Sequence, residues 1–162
     1  MSLFESFLSQ FQKAFIVDSR WKIFLKGFVN TMIITLAAAA IGILIGVVIA
    51  VFRYMASQKD PRKKRTFGSA VIGVIDRLMA AYVAVIRGTP LAIQLMIMAF
   101  IVLRGVSDGM VVAIVAFGLN SGAYVSEVIR AGIQSVDGGQ MEAGRSLGLN
   151  RVDAMRLIIL PQ

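Results

Sequence analysis

Apolar residues along this chain fall into three long blocks separated by short polar stretches. The first block, residues 28–52, is uncharged throughout. As a helix it is long enough to cross roughly 30 Å of hydrocarbon. Ala38, Gly42, Gly46 and Ala50 recur at every fourth position within it. Such a small-residue stripe lets a second helix approach closely. The second block, residues 67–103, is interrupted. Asp76 and Arg77 break its apolar character, and Arg87-Gly88-Thr89-Pro90 breaks the helix itself. Proline removes a backbone donor and disfavours helix in the residue before it. Residues 91–103 form a helix of only about 20 Å, too short to span alone. The pattern therefore predicts a second span that is kinked near residues 87–90 and exits at 104–109. The third block, residues 110–129, runs back. It carries Asn120, Tyr124, Glu127 and Arg130 at spacings of four, three and three, which puts them on one helical face. Charged groups inside a span usually face protein or a water path. Glu127 and Arg130 either do that or sit at headgroup level.

The flanks are amphipathic or polar. Phe4, Phe7, Leu8, Phe11 and Phe15 recur at helical spacing, and Arg20, Trp21, Lys22 and Lys26 suit a membrane–water boundary. Residues 1–26 read as an interfacial segment, with a disordered tail as the alternative. The first fifteen residues do not resemble a secretory signal, because no small-residue cleavage site follows a short apolar core. Arg53, Lys59, Arg62, Lys63, Lys64 and Arg65 surround Pro61. Such a block resists translocation and marks the cytoplasmic side, which places the N-terminus outside. Residues 134–162 are polar again and read as two short cytoplasmic helices. The first covers about residues 139–147 and stops at Gly148. Asn150 caps the second, with Asp153 in its first turn, and Pro161 closes it.

Composition narrows the chemistry. The 162 residues are 57% hydrophobic and 16% charged, with a net charge of +8. A soluble domain carries about 25% charged residues. The cations lie mainly between the apolar blocks, where they set orientation, and no nucleic-acid recognition module accompanies them. Cysteine and histidine are both absent. That removes disulfides, thiolates, the commonest metal ligand and the commonest general base. No metal site is expected. There is no phosphate-binding loop of the Gly-x4-Gly-Lys-Ser/Thr type, so the chain is not itself an ATPase. A membrane-embedded enzyme would have only scattered carboxylates to work with. A small pore-forming or membrane-interacting protein would fit the amphipathic start. It would not explain the spacing of Gly148, Leu160 and Pro161.

That spacing is the most specific feature of the sequence. Permease subunits of bacterial ATP-binding-cassette (ABC) importers carry a cytoplasmic motif. It reads Glu-Ala-Ala, three residues, Gly, nine residues, Ile, one residue, Leu-Pro. Glu142-Ala143-Gly144, Gly148, Ile158, Leu160 and Pro161 resemble it at every spacing. Gly144 replaces the second alanine, which lowers helix propensity by roughly 1 kcal/mol. Arg87-Gly88-Thr89-Pro90-Leu91 with Gln94 is similar to the polar amino-acid branch of these permeases. So is Asn120-Ser121-Gly122-Ala123-Tyr124 with Glu127, Arg130 and Ile133, followed by Gly139-Gln140. The resemblance covers residues 26–162.

The resemblance implies an all-α integral membrane protein, a helical-bundle permease of the bacterial inner membrane. Residues 27–162 form its membrane domain, and residues 134–162 form a cytoplasmic coupling segment. Members of the family continue for two more spans, so the chain looks C-terminally truncated, with about three spans present. It further implies uptake of polar amino acids and no cofactor bound by this chain. ATP and magnesium would be held by a partner ATPase. An extracytoplasmic amino-acid-binding protein, a second permease copy (identical or related) and membrane lipid complete the expected partners. Leu147, Leu149, Val152 and Met155 offer an apolar anchor for a groove on the ATPase, with Arg145, Arg151 and Arg156 as a polar rim. Gln94, Asn120, Tyr124 and Glu127 are expected to line the amino-acid path. Polar groups there are costly against lipid but useful against a zwitterion. Glu127 either meets a cargo cation or pairs with Arg130 in its own helix.

Overall fold

The computed structural model describes residues 3–57 and 67–162. The basic run at 59–65, with Pro61, lies outside the described residues. Helix α1 covers Leu3–Phe11, α2 Trp21–Ser57, α3 Phe67–Gly88 and α4 Leu91–Ile97, which continues through a wide turn at Met98–Val102. Helix α5 covers Gly109–Ser135, α6 Gly138–Ser146 and α7 Arg151–Ala154, which continues through Met155–Ile159. Among the described residues there is no strand. Helices α2, α3 and α5 are long and apolar enough to cross a membrane. The fold is that of an all-α integral membrane protein.

Helix α2 has 37 residues and is about 55 Å long, so it overshoots the apolar block at both ends. It starts at Trp21 and runs unbroken across residue 26. The second span is kinked as the proline predicts, with α3 ending at Gly88 and α4 starting at Leu91. Helix α3 alone is about 33 Å long. Helix α4 therefore extends the span beyond the break and does not supply missing length.

The bundle is held by close packing of α2 on α5. Ala38, Gly42, Gly46 and Ala50 are all buried, and the stripe read from the sequence is the contact face. Its counterpart on α5 is Gly118, Gly122, Ala123 and Ser126. A Cβ added at Gly42 would lie 2.5 Å from the Ser121 Cβ, and one at Gly118 would lie 2.8 Å from Ile41 Cγ2. Paired positions rise together along the two helices, so α2 and α5 run parallel. Lipid tails are as apolar as leucine, so helices associate in a membrane through close packing and not through removal of apolar surface from water. Helix α3 joins through a small core of Ile49, Val83 and Ala123, flanked by Ile45, Met79, Tyr82 and Ile86. The Tyr82 hydroxyl donates to the Leu119 carbonyl at 2.6 Å, which satisfies its polar end at membrane depth. Leu36, Leu44, Leu78, Phe100, Ile101 and Val128 are exposed, as side chains that meet hydrocarbon should be.

The N-terminal segment follows the predicted aromatic face. Rings of Phe7, Phe11, Phe15 and Phe24 follow one another in contact, with centroids 6.4, 4.9 and 4.9 Å apart. The series carries α1 onto the start of α2. Asp18 and Ser19 adopt positive φ between them.

Candidate functional site

The polar residues at the proline break and on α5 come together. Pro90 has no N–H, so the Ile86 carbonyl one turn earlier loses its helical partner. The Thr89 carbonyl is orphaned too, because Ile93 N–H bonds to the Pro90 carbonyl instead. Gln94 is buried and repairs both. Its Nε2 donates to the Ile86 carbonyl at 2.6 Å and to the Thr89 carbonyl at 2.8 Å. Carbonyls only accept, which fixes the orientation of the amide. Its Oε1 then accepts from Asn120 Nδ2 on α5 at 3.1 Å. Thr89 Oγ1 donates to the Val85 carbonyl at 2.7 Å and closes the end of α3. Gly88 supplies the last residue before the break. Gln94, expected on the cargo path, is thus engaged on three sides in pinning α4 and α5 to the break.

Glu127 and Tyr124 form the second half of the cluster. Glu127 Oε1 accepts from Arg130 Nε at 3.0 Å and from its Nη2. Arg130 Nη1 also donates to Gln134 Oε1 at 2.7 Å. Arg87 approaches the same carboxylate from α3, its Nη1 lying 3.7 Å from Glu127 Oε1. The Arg87 guanidinium stands over the Tyr124 ring, 5.5 Å from its centroid. One carboxylate therefore serves two guanidiniums, and Arg87 links the kink to the polar face. Sequence reading placed Arg87 only in the kink. Its role needed the α3–α5 contact, which no local pattern carries.

Asn120 and Tyr124 also line a groove of about 640 Å³ between α2 and α5, with Thr31, Thr35, Phe117 and Ser121. Gln94 and Glu127 are not in its lining. Thr31 and Thr35 were missed, although Asn30, Thr31 and Thr35 at one end of an uncharged span are a readable signal.

The segment after α5 is built from sharp local signals. Asp137 caps α6, its Oδ1 accepting from Gly139 N–H at 2.6 Å. Helix α6, which carries Glu142 and Ala143, ends in a Schellman turn. Leu149 N–H reaches the Gly144 carbonyl at 3.2 Å, and Gly148 N–H reaches Arg145 at 3.0 Å. Gly148 has φ +90°, the left-handed region that favours glycine. Asn150 caps α7, its side-chain oxygen accepting from Val152 and Asp153 N–H at 2.9 Å each. The two helices fold onto each other across Gly144. A Cβ there would lie 2.6 Å from Ile158 Cδ1 and 3.4 Å from Ala154 Cβ. Glycine at the departure from the family pattern lets α7 lie closer.

The apolar residues of this segment divide in two. Leu147 and Val152 are strongly exposed, as are Leu157 and Leu160. Leu149, Met155 and Ile158 are half-buried, and Pro161 is exposed. Leu149 and Met155 thus face partly inward, toward the α6–α7 contact, whereas Leu147 and Val152 project outward.

Residues 68–162 match the family described as binding-protein-dependent transport system inner membrane component. The arginine transport system permease protein ArtQ of Bacillus subtilis is 40% identical over 141 residues, 85% of this chain and 58% of that protein. The L-cystine transport system permease protein TcyB of the same organism is 33% identical over 147 residues, 90% of this chain and 56% of that protein. A crystal structure of an amino acid ABC transporter with histidines superposes with a TM-score of 0.73 at 35% identity, covering 96% of this chain and 64% of that chain. The chain spans somewhat more than half the length of the curated relatives it matches. This chain belongs to the family of inner-membrane components of binding-protein-dependent transport systems.

Proposed function

We propose that the chain is membrane-spanning permease sequence of an ATP-driven importer of polar amino acids, coupled to a separate ATPase through residues 142–161. The observation that carries this reading is the α6–α7 unit. It is a capped helix, a glycine turn and a second capped helix, and it follows directly from the C-terminal end of α5. Leu147 and Val152 stand out from it as an apolar anchor, with Arg145, Arg151 and Arg156 around them, as a helix seated in a groove requires. Glu142, Ala143, Gly144, Gly148, Leu149, Ile158, Leu160 and Pro161 set the shape that presents this anchor. On this reading, residues 1–26 lie at the interface and residues 27–162 form the membrane domain. A partner ATPase binds ATP and magnesium, an extracytoplasmic protein delivers the amino acid, and a second permease copy completes the path.

ATP-driven closure of the ATPase pulls on α6–α7. Helix α5 passes that movement to α2 through the glycine contact, and to α3–α4 through Gln94, Asn120, Glu127 and Arg87. The cargo path in this reading runs along Asn120 and Tyr124 in the α2–α5 groove, beside Glu127. Uptake of a panel of labelled amino acids, in cells carrying the intact gene with its ATPase partner, tests the proposal. Polar amino acids should accumulate in an ATP-dependent way. Uptake that persists without the ATPase would point to a simple pore.

Glu127→Gln removes the carboxylate that serves two guanidiniums and leaves both cations without it. Two uncompensated guanidiniums beside the path would repel a cationic cargo, so uptake of basic amino acids should fall by about tenfold relative to neutral ones, a difference of about 1.4 kcal/mol. An unchanged cargo profile at a normal amount of protein would make Glu127 a structural clamp and nothing more.

Orientation gives a second test. Ser57 ends α2, and it lines one cavity together with Arg130 and Gln134 from the last turns of α5. The α2–α3 link and α6 therefore leave the bundle at the same end, and the basic residues of the link make that end cytoplasmic. Single cysteines at Ser57 and Ser146, in a chain with no other cysteine, should react with an impermeant maleimide only from the cytoplasm. Labelling from opposite faces would overturn this topology.

A further inference from the structure

A second cavity, of about 260 Å³, lies between the C-terminal ends of α2 and α5, with Asp76 from the middle of α3 on its wall. Its charged lining is Arg53, Asp76 and Arg130, with Tyr54, Ser57 and Gln134 as further polar groups. Arg53 is the first charge after the uncharged run of α2, and Arg130 closes the apolar part of α5. Both helices therefore bring their first guanidinium to one level, the depth of lipid headgroups. Arg53 is three-quarters buried, yet among the described residues its one hydrogen-bonded partner is Asp76, Nε to Oδ1 at 3.4 Å. Among the described residues, its two terminal nitrogens have no partner. Glu127 and Gln134 already engage Arg130, so the spare donors at the cavity are chiefly the terminal nitrogens of Arg53.

An apolar groove of about 430 Å³ lies deeper along the same helix pair, walled by Ile45, Ile49, Ile75, Leu78 and Met79. Ile49 is one turn from Arg53 on α2, and Ile75 adjoins Asp76 on α3. The Arg53–Asp76 pair thus stands between a polar cavity and a greasy channel. A free anion would use the first and have no use for the second. We infer that Arg53, with Arg130 beside it, holds the phosphate of an anionic phospholipid whose acyl chain lies along the α2–α3 groove. A guanidinium with unused donors matches a phosphodiester oxygen pair. Asp76 competes with that phosphate for Arg53. A zwitterionic headgroup would bring its own cation against the two guanidiniums and bind less well.

The test is native mass spectrometry of the intact protein in detergent, titrated with phosphatidylglycerol, with phosphatidylcholine, and with inorganic phosphate as a separate competitor. Phosphatidylglycerol should be retained preferentially, and millimolar phosphate should not displace it. Arg53→Gln should weaken its retention by about fivefold, the effect of one cation beside an anionic headgroup. Arg104→Gln, an exposed cation outside the cavity, should leave retention unchanged. Asp76→Asn should strengthen retention by a similar factor, a gain that misfolding cannot imitate. Equal retention of both lipids, displacement by phosphate, no response to Arg53→Gln, or weaker binding in Asp76→Asn would each overturn the assignment.

Discussion

Gly46→Val should dismantle the membrane bundle. A Cβ at residue 46 would lie 2.5 Å from Val125 Cγ1, 2.6 Å from Val125 Cβ and 3.0 Å from the Ser126 backbone nitrogen. The neighbour is a stiff β-branched side chain backed by main chain, so no rotamer change relieves the overlap. Overpacking costs about 1–3 kcal/mol where side chains can adjust. Here α2 and α5 must move apart, which forfeits the close packing that holds them in lipid. Gly27→Val lies on the same helix, carries the same change in helix propensity, and would meet nothing within 4 Å. Size-exclusion chromatography of detergent-purified protein should give a single peak for Gly27→Val, and aggregate or no protein for Gly46→Val. Equivalent profiles would mean that the α2–α5 contact does not organise the fold.

Gly148→Val should abolish uptake while leaving the membrane helices in place. A Cβ at Gly148 meets open space, so the effect is confined to the backbone. With φ at +90°, a residue bearing a Cβ costs roughly 1–2 kcal/mol, and a β-branched one costs more. The Schellman bonds from Gly148 and Leu149 would open, and α7 would swing away from Gly144. Leu147 and Val152 would then no longer present one surface to the ATPase. Made in the chromosomal gene, the substitution should leave the amount of protein in the membrane near normal, remove the ATPase from affinity-purified complexes and stop amino-acid accumulation. Leu147→Ala trims one exposed side chain without touching the turn and should reduce uptake only partly. Normal transport by Gly148→Val with the ATPase still bound would remove the mechanical basis of the coupling proposal.

The parts of the fold that obey one-helix rules were legible in the sequence. Every fourth residue of α2 being small announced a packing face, Pro90 announced a break, and Gly148 and Asn150 announced a turn and a cap. Each is a statement about a residue and its neighbours within a turn or two. What the sequence withheld were the pairings. Nothing local says that Gly42 and Gly46 receive Ser121 and Val125, or that Gly118 and Gly122 receive Ile41 and Ile45, because those glycines carry the same spacing whatever they face. Gln94 read as a cargo-facing amide because polar residues in a span usually serve a path. The bracket it makes is visible only once the orphaned carbonyls at Ile86 and Thr89 are located. Arg87 reads as a boundary charge until α5 brings Glu127 beside it. In the α6–α7 unit, helices this short leave the inward side open, so Leu149 and Met155 could not be told from Leu147 and Val152.

The Gln94 bracket has a mechanical corollary. A proline break in a membrane helix is commonly a soft joint, free to bend as its carbonyls find other donors. Here both freed carbonyls are tied to one buried amide, whose oxygen is tied in turn to Asn120. Bending the joint would release unsatisfied carbonyls into hydrocarbon, at several kcal/mol each. The corner between α3 and α4 therefore behaves as a stiff elbow bolted to α5. Rotation of α5 about its axis would pull on the elbow through the Gln94–Asn120 hydrogen bond, while α2 follows through the glycine contact.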